Sequence, residues 1–162
     1  MSTIVQQAVR WLEKIGIGVE YNAELQEFEF EYKDAFVIIN TDTPEGVLSF
    51  ICPYVFPDEL SNENKVVFQK AKEWWTKYID TAHCFCEFVD NDCAYICCLY
   101  GRNRKDALRK YELIEALEDT IFKWKLFIIA ISSSFKNQLS VKHNKKYNNE
   151  HHTIPKPHQN NC

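Results

Sequence analysis

Acidic and aromatic residues alternate without a break from Glu27 to Tyr32, and no other feature of the chain restricts its folding more. Successive side chains of an extended strand point to opposite faces, so Glu27, Glu29 and Glu31 share one side and Phe28, Phe30 and Tyr32 the other. A helix would scatter both sets around its axis. The segment therefore predicts a strand with a wet acidic face and an aromatic face turned to a core. Lys33-Asp34 reads as a tight turn into Ala35-Phe36-Val37-Ile38-Ile39, and Thr43-Pro44-Glu45-Gly46 as the next turn, into Val47 to Cys52. Three strands with short links imply an antiparallel meander.

Helical periods frame this meander. Ser2 or Thr3 can cap a helix whose Ile4, Val5, Ala8, Val9, Leu12 and Ile15 fall on one side, and Gly16 and Gly18 end it. Tyr21-Asn22 reads as a turn. After Pro53 closes the third strand, a helix runs from about residue 59 to Tyr78 with the stripe Val67, Phe68, Ala71, Trp74, Trp75 and Tyr78. Period two returns from His83 to Val89 and from Cys93 to Tyr100 around Asp90-Asn91-Asp92, which is a hairpin. A long helix then begins near Asn103, carries Leu108, Leu117, Ile121, Trp124 and Ile131 at helical spacing, and ends at Ser132-Ser133-Ser134. The expected architecture is α+β: a helix, a three-stranded antiparallel meander, a helix, a β-hairpin and a long C-terminal helix, forming a single five-stranded antiparallel sheet backed by helices. Residues 1–134 form one domain in this reading, and residues 135–162 a polar, disordered tail.

Composition narrows the function classes. The chain has 162 residues, 46% of them hydrophobic, enough to bury roughly two thirds of its unfolded surface without disulfide or metal. Residues 1–134 carry 14 basic and 22 acidic side chains, so the body repels a phosphate backbone and nucleic acid is not an expected partner. Seven cysteines and an N-terminal stretch without the basic start and apolar run of a signal peptide point to reduced thiols in the cytoplasm. The longest nearly uncharged apolar stretch, Leu126 to Ile131, is too short to cross a bilayer, so no membrane is expected either.

Few residues suggest chemistry. Alternation places Cys84 and Cys86 on one strand face, and an even-numbered hairpin loop brings Cys93 and Cys97 onto the same face, which gathers four thiols. Zinc favours four such ligands, usually presented by a Cys-x-x-Cys knuckle that is missing here. The simpler reading makes these cysteines small apolar packing residues; the alternative is a thiol-redox or zinc-binding regulatory site at Cys84, Cys86, Cys93 and Cys97. His83 is the one histidine of the body, and its neighbour Cys84 points to the other face, so a nucleophile and base pair would need a thiol from elsewhere, such as Cys98 in the paired strand. Gly16-Ile17-Gly18 ends a helix rather than opening one, which argues against a phosphate loop. The tail histidines, His143, His151, His152 and His158, lack a preorganised site. Neither a catalytic centre nor a cofactor is expected.

With this element order, acidic balance and apolar final helix, carried by Phe28, Phe30, Ile38, Trp74 and Trp124, the chain resembles the type III secretion chaperone-like fold. Within it, the chain resembles the YbjN-like family of small acidic bacterial proteins over residues 3–132. The resemblance implies a cytoplasmic, dimeric binding protein without catalysis. Apolar excess points the same way: Phe122 to Ile131 is apolar almost all round, more than one helix on one sheet can hide. The expectation is therefore a non-catalytic, chaperone- or adaptor-like module, a homodimer that holds another polypeptide. Trp74, Trp75, Trp124 and Phe127 supply apolar contacts in this reading, and Glu27, Glu29 and Glu31 line a charged face.

Overall fold

The computed structural model describes residues 1–57, 62–90, 92–103 and 105–151, with residues 139–151 as backbone. In chain order the elements are α1 (Thr3–Lys14), β1 (Glu20–Asn22), β2 (Glu27–Tyr32), β3 (Ala35–Asn40), β4 (Val47–Val55), α2 (Asn64–Tyr78), β5 (Cys84–Val89), β6 (Cys93–Gly101) and α3 (Lys110–His151). All strand pairings are antiparallel, in the order β1-β2-β3-β4-β6-β5.

The sheet among the described residues thus has six strands, not five, and the meander four, not three. The addition is β1, whose Tyr21-Asn22 lies in register with Phe28 and Glu27 instead of turning. Three residues are too few to display an alternation, and the turn falls one step later. There Asn22 Oδ1 accepts the Leu25 N–H at 3.0 Å and Gln26 takes a left-handed φ of 55°. Other local signals act as their chemistry dictates. Gly16, at φ 89°, closes α1 in a Schellman arrangement: the Ile17 N–H reaches Leu12 O at 2.9 Å and the Gly16 N–H reaches Glu13 O at 3.1 Å. Lys33 and Asp34 both have positive φ, the two-residue turn whose twist matches a hairpin, and so pin Tyr32 opposite Ala35.

Helix boundaries shift as well. α3 begins at Lys110 rather than near Asn103 and runs past Ser132–Ser134 to His151. Three serines are only weak helix breakers, so the helix continues through them. The expected tail therefore begins as helix; residues 152–162 lie outside the described residues. The onset of α2 is Asn64, and its expected first turn falls partly on residues 58–61, also outside them.

All three helices contribute to one buried cluster with Phe30, Val37, Ile39, Leu48, Phe50, Cys52, Cys84, Cys86, Ile96 and Cys98, every one from the same face of the sheet. Aromatic rings weld the layers together. Phe127 of α3 meets Trp75 and Phe68 of α2 edge-on at 5.9 and 6.2 Å, and Phe68 stacks on Phe88 of β5 at 5.5 Å.

Candidate functional site

Among the described residues no helix lies on the other face of the sheet, and apolar side chains dominate its middle. A row of register partners crosses its middle from Glu29 through Ile38, Ile51 and Cys97 to Phe85. Beside that row stand Phe36, Pro53, Tyr95, Leu99, Val55 and Val89, and none of these belongs to the core cluster. Phe36 is 41% exposed, Phe85 39% and Val55 70%. Exposed apolar side chains grouped on one face are a feature that interaction surfaces of folded domains share.

Its flanks are acidic. Glu27, Glu29 and Glu31 form a ladder along β2, the first two half-buried and the third exposed. Asn22 Nδ2 donates to Glu29 Oε1 at 3.1 Å. Burial, reinforced by the Glu29 charge, raises the Glu27 carboxyl above its ordinary value of 4.5. Among the described residues none of the three is held in an ion pair. On the far flank Tyr95 donates its hydroxyl to Glu87 Oε2 at 2.6 Å. The surface offers hydrophobic area bounded by uncompensated negative charge, which suits a partner with apolar and basic side chains.

The expected contact residues divide. Trp75 and Phe127 are wholly buried, so neither offers a surface to a partner. The Trp75 indole N–H is spent on Lys123 O at 2.9 Å. Trp74, one position along the helix and so rotated by about 100°, is 37% exposed and lies 4.8 Å from the Tyr78 ring. Trp124 is half-buried against the core. The surplus of α3 emerges instead at Phe122 and Ile129, 61% and 56% exposed. Sequence reasoning missed Phe36, Ile38, Ile51 and Phe85, although a signal was present. Ala35 to Ile39 is an unbroken apolar run, and a strand without polar alternation is apolar on both faces.

The four-thiol patch does not form. The hairpin loop holds three residues, so Val89 pairs with Cys93, and Cys84 with Cys98. Cys84, Cys86 and Cys98 therefore face the helices with Cys52, whereas Cys93 and Cys97 face the open side. Cys97 Sγ lies 3.3 Å from Ser49 Oγ, and Cys84 Sγ 3.0 Å from Cys98 Sγ. Burial pushes the Cys52 thiol up to about 12 and that of Cys86 to about 11. Among the described residues no group of three or more His, Cys, Asp or Glu side chains could hold a metal ion, and no helix is long and apolar enough to cross a membrane.

A cleft of about 370 Å³ opens between α1, β4, β6 and α3. Its polar groups engage one another. Arg102 grips Glu112 through Nε to Oε2 at 2.7 Å and Nη2 to Oε1 at 3.0 Å, and Tyr100 donates to Asp119 Oδ2 at 2.7 Å. A ligand there would have to displace these bonds.

No family model matches the sequence, and no curated protein matches it. Among solved structures, the chain is similar in fold to YbjN of E. coli. The superposition has a TM-score of 0.46 at 8% identity and covers 83% of this chain and 93% of YbjN. That likeness concerns the arrangement of elements, and no function is taken from it.

Proposed function

We propose that the chain is a non-catalytic, chaperone- or adaptor-like module that holds a partner polypeptide of apolar and basic character across the open face of its sheet. One observation carries this reading: exposed Phe36 and Phe85 and half-buried Ile38 and Ile51 share the open face with the Glu27, Glu29 and Glu31 ladder, which is in no ion pair among the described residues. Apolar burial at about 25 cal/mol per Å² supplies affinity once association costs are met, and the carboxylates select charge. The homodimer draws on the helix layer instead, where exposed Trp74, Phe122 and Ile129 are the groups a second copy can cover. A reducing compartment such as the cytoplasm suits the free cysteines of the described body.

The test uses a fluorescent synthetic peptide of alternating leucine and lysine, titrated with the full chain and followed by anisotropy, beside a leucine and glutamate counterpart. Saturable binding of the basic peptide alone is expected. Replacing Glu27, Glu29 and Glu31 together by Lys should weaken it about tenfold or more. Equal binding of both peptides, or of neither, overturns the proposal.

A further inference from the structure

The thiols of Cys84 and Cys98 have no part in the open face, because both sulfurs lie on the helix side of the sheet. We propose that this pair is a modification site, closing reversibly into a cross-strand disulfide when the protein meets a peroxide.

Geometry supplies the first argument. Cys84 and Cys98 are direct register partners on β5 and β6. The neighbouring pair, His83 and Leu99, is hydrogen-bonded, with the Leu99 N–H donating to His83 O at 2.8 Å. Bonded and non-bonded pairs alternate along an antiparallel ladder, so Cys84 and Cys98 form a non-bonded pair, whose Cα atoms approach to about 4.5 Å. That spacing falls inside the range a disulfide spans, about 4.4–6.8 Å, and the sulfurs already stand 3.0 Å apart. Closure requires side-chain rotation and no change of register.

Electrostatics supplies the second. The hydrogen bond shared with Cys84 is the main influence lowering the Cys98 thiol, and the Lys123 charge and Thr120 hydroxyl act in the same direction. The same bond, with burial, raises Cys84. With the Thr120 hydroxyl also on its side, Cys98 is the more readily ionised of the two, so the proposal gives it the attack and Cys84 the resolving step. Cys52 and Cys86, raised by burial, stay protonated. The pair is buried, but β5 is an edge strand of the sheet, so local opening of that edge admits a small oxidant.

The steps balance. Cys98 thiolate attacks one peroxide oxygen: an S–O bond forms, the O–O bond breaks, and hydroxide leaves to take a proton. Cys84 sulfur then attacks the sulfenic sulfur: the S–S bond forms, the S–O bond breaks, and the departing hydroxide carries off the Cys84 proton as water. The two thiols lose two electrons and the peroxide gains them.

The test treats the full reduced chain with hydrogen peroxide, blocks the remaining thiols with N-ethylmaleimide under denaturing conditions, and maps the peptides by mass spectrometry. A linked Cys84–Cys98 peptide should dominate and vanish after dithiothreitol. Cys84→Ser should leave a sulfenic acid on Cys98 that dimedone traps, and Cys98→Ser should give neither product. Cross-links dominated by the half-buried Cys93, or Cys84 and Cys98 recovered as maleimide adducts after peroxide is consumed, overturn the proposal. The wild-type map decides even if a variant fails to fold.

Discussion

Trp74 and Trp75 are neighbours in sequence, yet the structure gives them opposite duties, and truncating each in turn measures the difference. Trp75 has no exposed surface, donates its indole N–H to Lys123 O at 2.9 Å and meets the Phe127 ring edge-on. Removing a buried indole costs about 3–5 kcal/mol in lost burial and cavity. Lys123 O belongs to a helix that can still satisfy it, so the broken hydrogen bond adds only about 1 kcal/mol. Trp75→Ala should therefore lose about 4–6 kcal/mol, a quarter or more of the roughly 5–15 kcal/mol that holds a domain together. Trp74 is partly solvated already and has a ring contact with Tyr78. Trp74→Ala should cost about 0.5–1 kcal/mol. In urea, with a slope of about 2 kcal/mol/M for a chain of this size, the midpoint falls by about 2–3 M for Trp75→Ala and by less than about 0.5 M for Trp74→Ala. Far-UV circular dichroism is the suitable probe, because it does not depend on the indoles being removed. Equal midpoint shifts, or a larger one for Trp74→Ala, would refute the division into core and surface.

Two further outcomes follow from the structure. The raised Glu27 carboxyl means that the folded chain binds this proton more readily than the unfolded one, so its charge opposes folding at neutral pH, and the penalty fades as pH falls through the folded value toward 4.5 and is essentially absent below it. Glu27→Gln should accordingly raise the thermal midpoint at pH 7 and leave it unchanged at pH 3, by calorimetry; a gain of equal size at both pH values rejects that sign. Ser133 is exposed within α3, so Ser133→Pro should lower stability by about 3 kcal/mol and reduce helical ellipticity. A helix that stopped at the serines would tolerate the proline, and unchanged ellipticity would show it.

Much of the scaffold was legible where one local rule dominates. The helical stripe of α1, the Lys33-Asp34 turn and the Glu27–Tyr32 alternation each depend on residues within a few positions of one another, and each appears where its pattern puts it. What escaped depends on longer-range facts. β1 is held by pairing with β2 and has no period of its own to read. That Trp74 and Trp75 diverge was legible from helix geometry; which of them turns inward was decided by where Phe127 of α3 lies. The bare sheet face was foreshadowed by apolar runs in β3, β4 and β6, since strands flanked by helix on one side only should alternate.

The hairpin of β5 and β6 shows how sharply a count of one residue can redirect chemistry. Side chains alternate with a period of two, so changing the parity of the connecting loop moves every residue of one strand to the opposite face relative to the other. An even loop would have gathered Cys84, Cys86, Cys93 and Cys97 into a patch with a zinc site's ligand count. The three-residue loop instead sets Cys84 against Cys98 and sends Cys93 and Cys97 across the sheet. Metal chemistry needs several donors converging on one point, whereas disulfide chemistry needs only two sulfurs facing each other at strand spacing. The same cysteines thus lose the first capability and gain the second through the register of a single turn, and the thiol pair lands beneath α3, where the Lys123 charge and the Thr120 hydroxyl act to lower the Cys98 thiol.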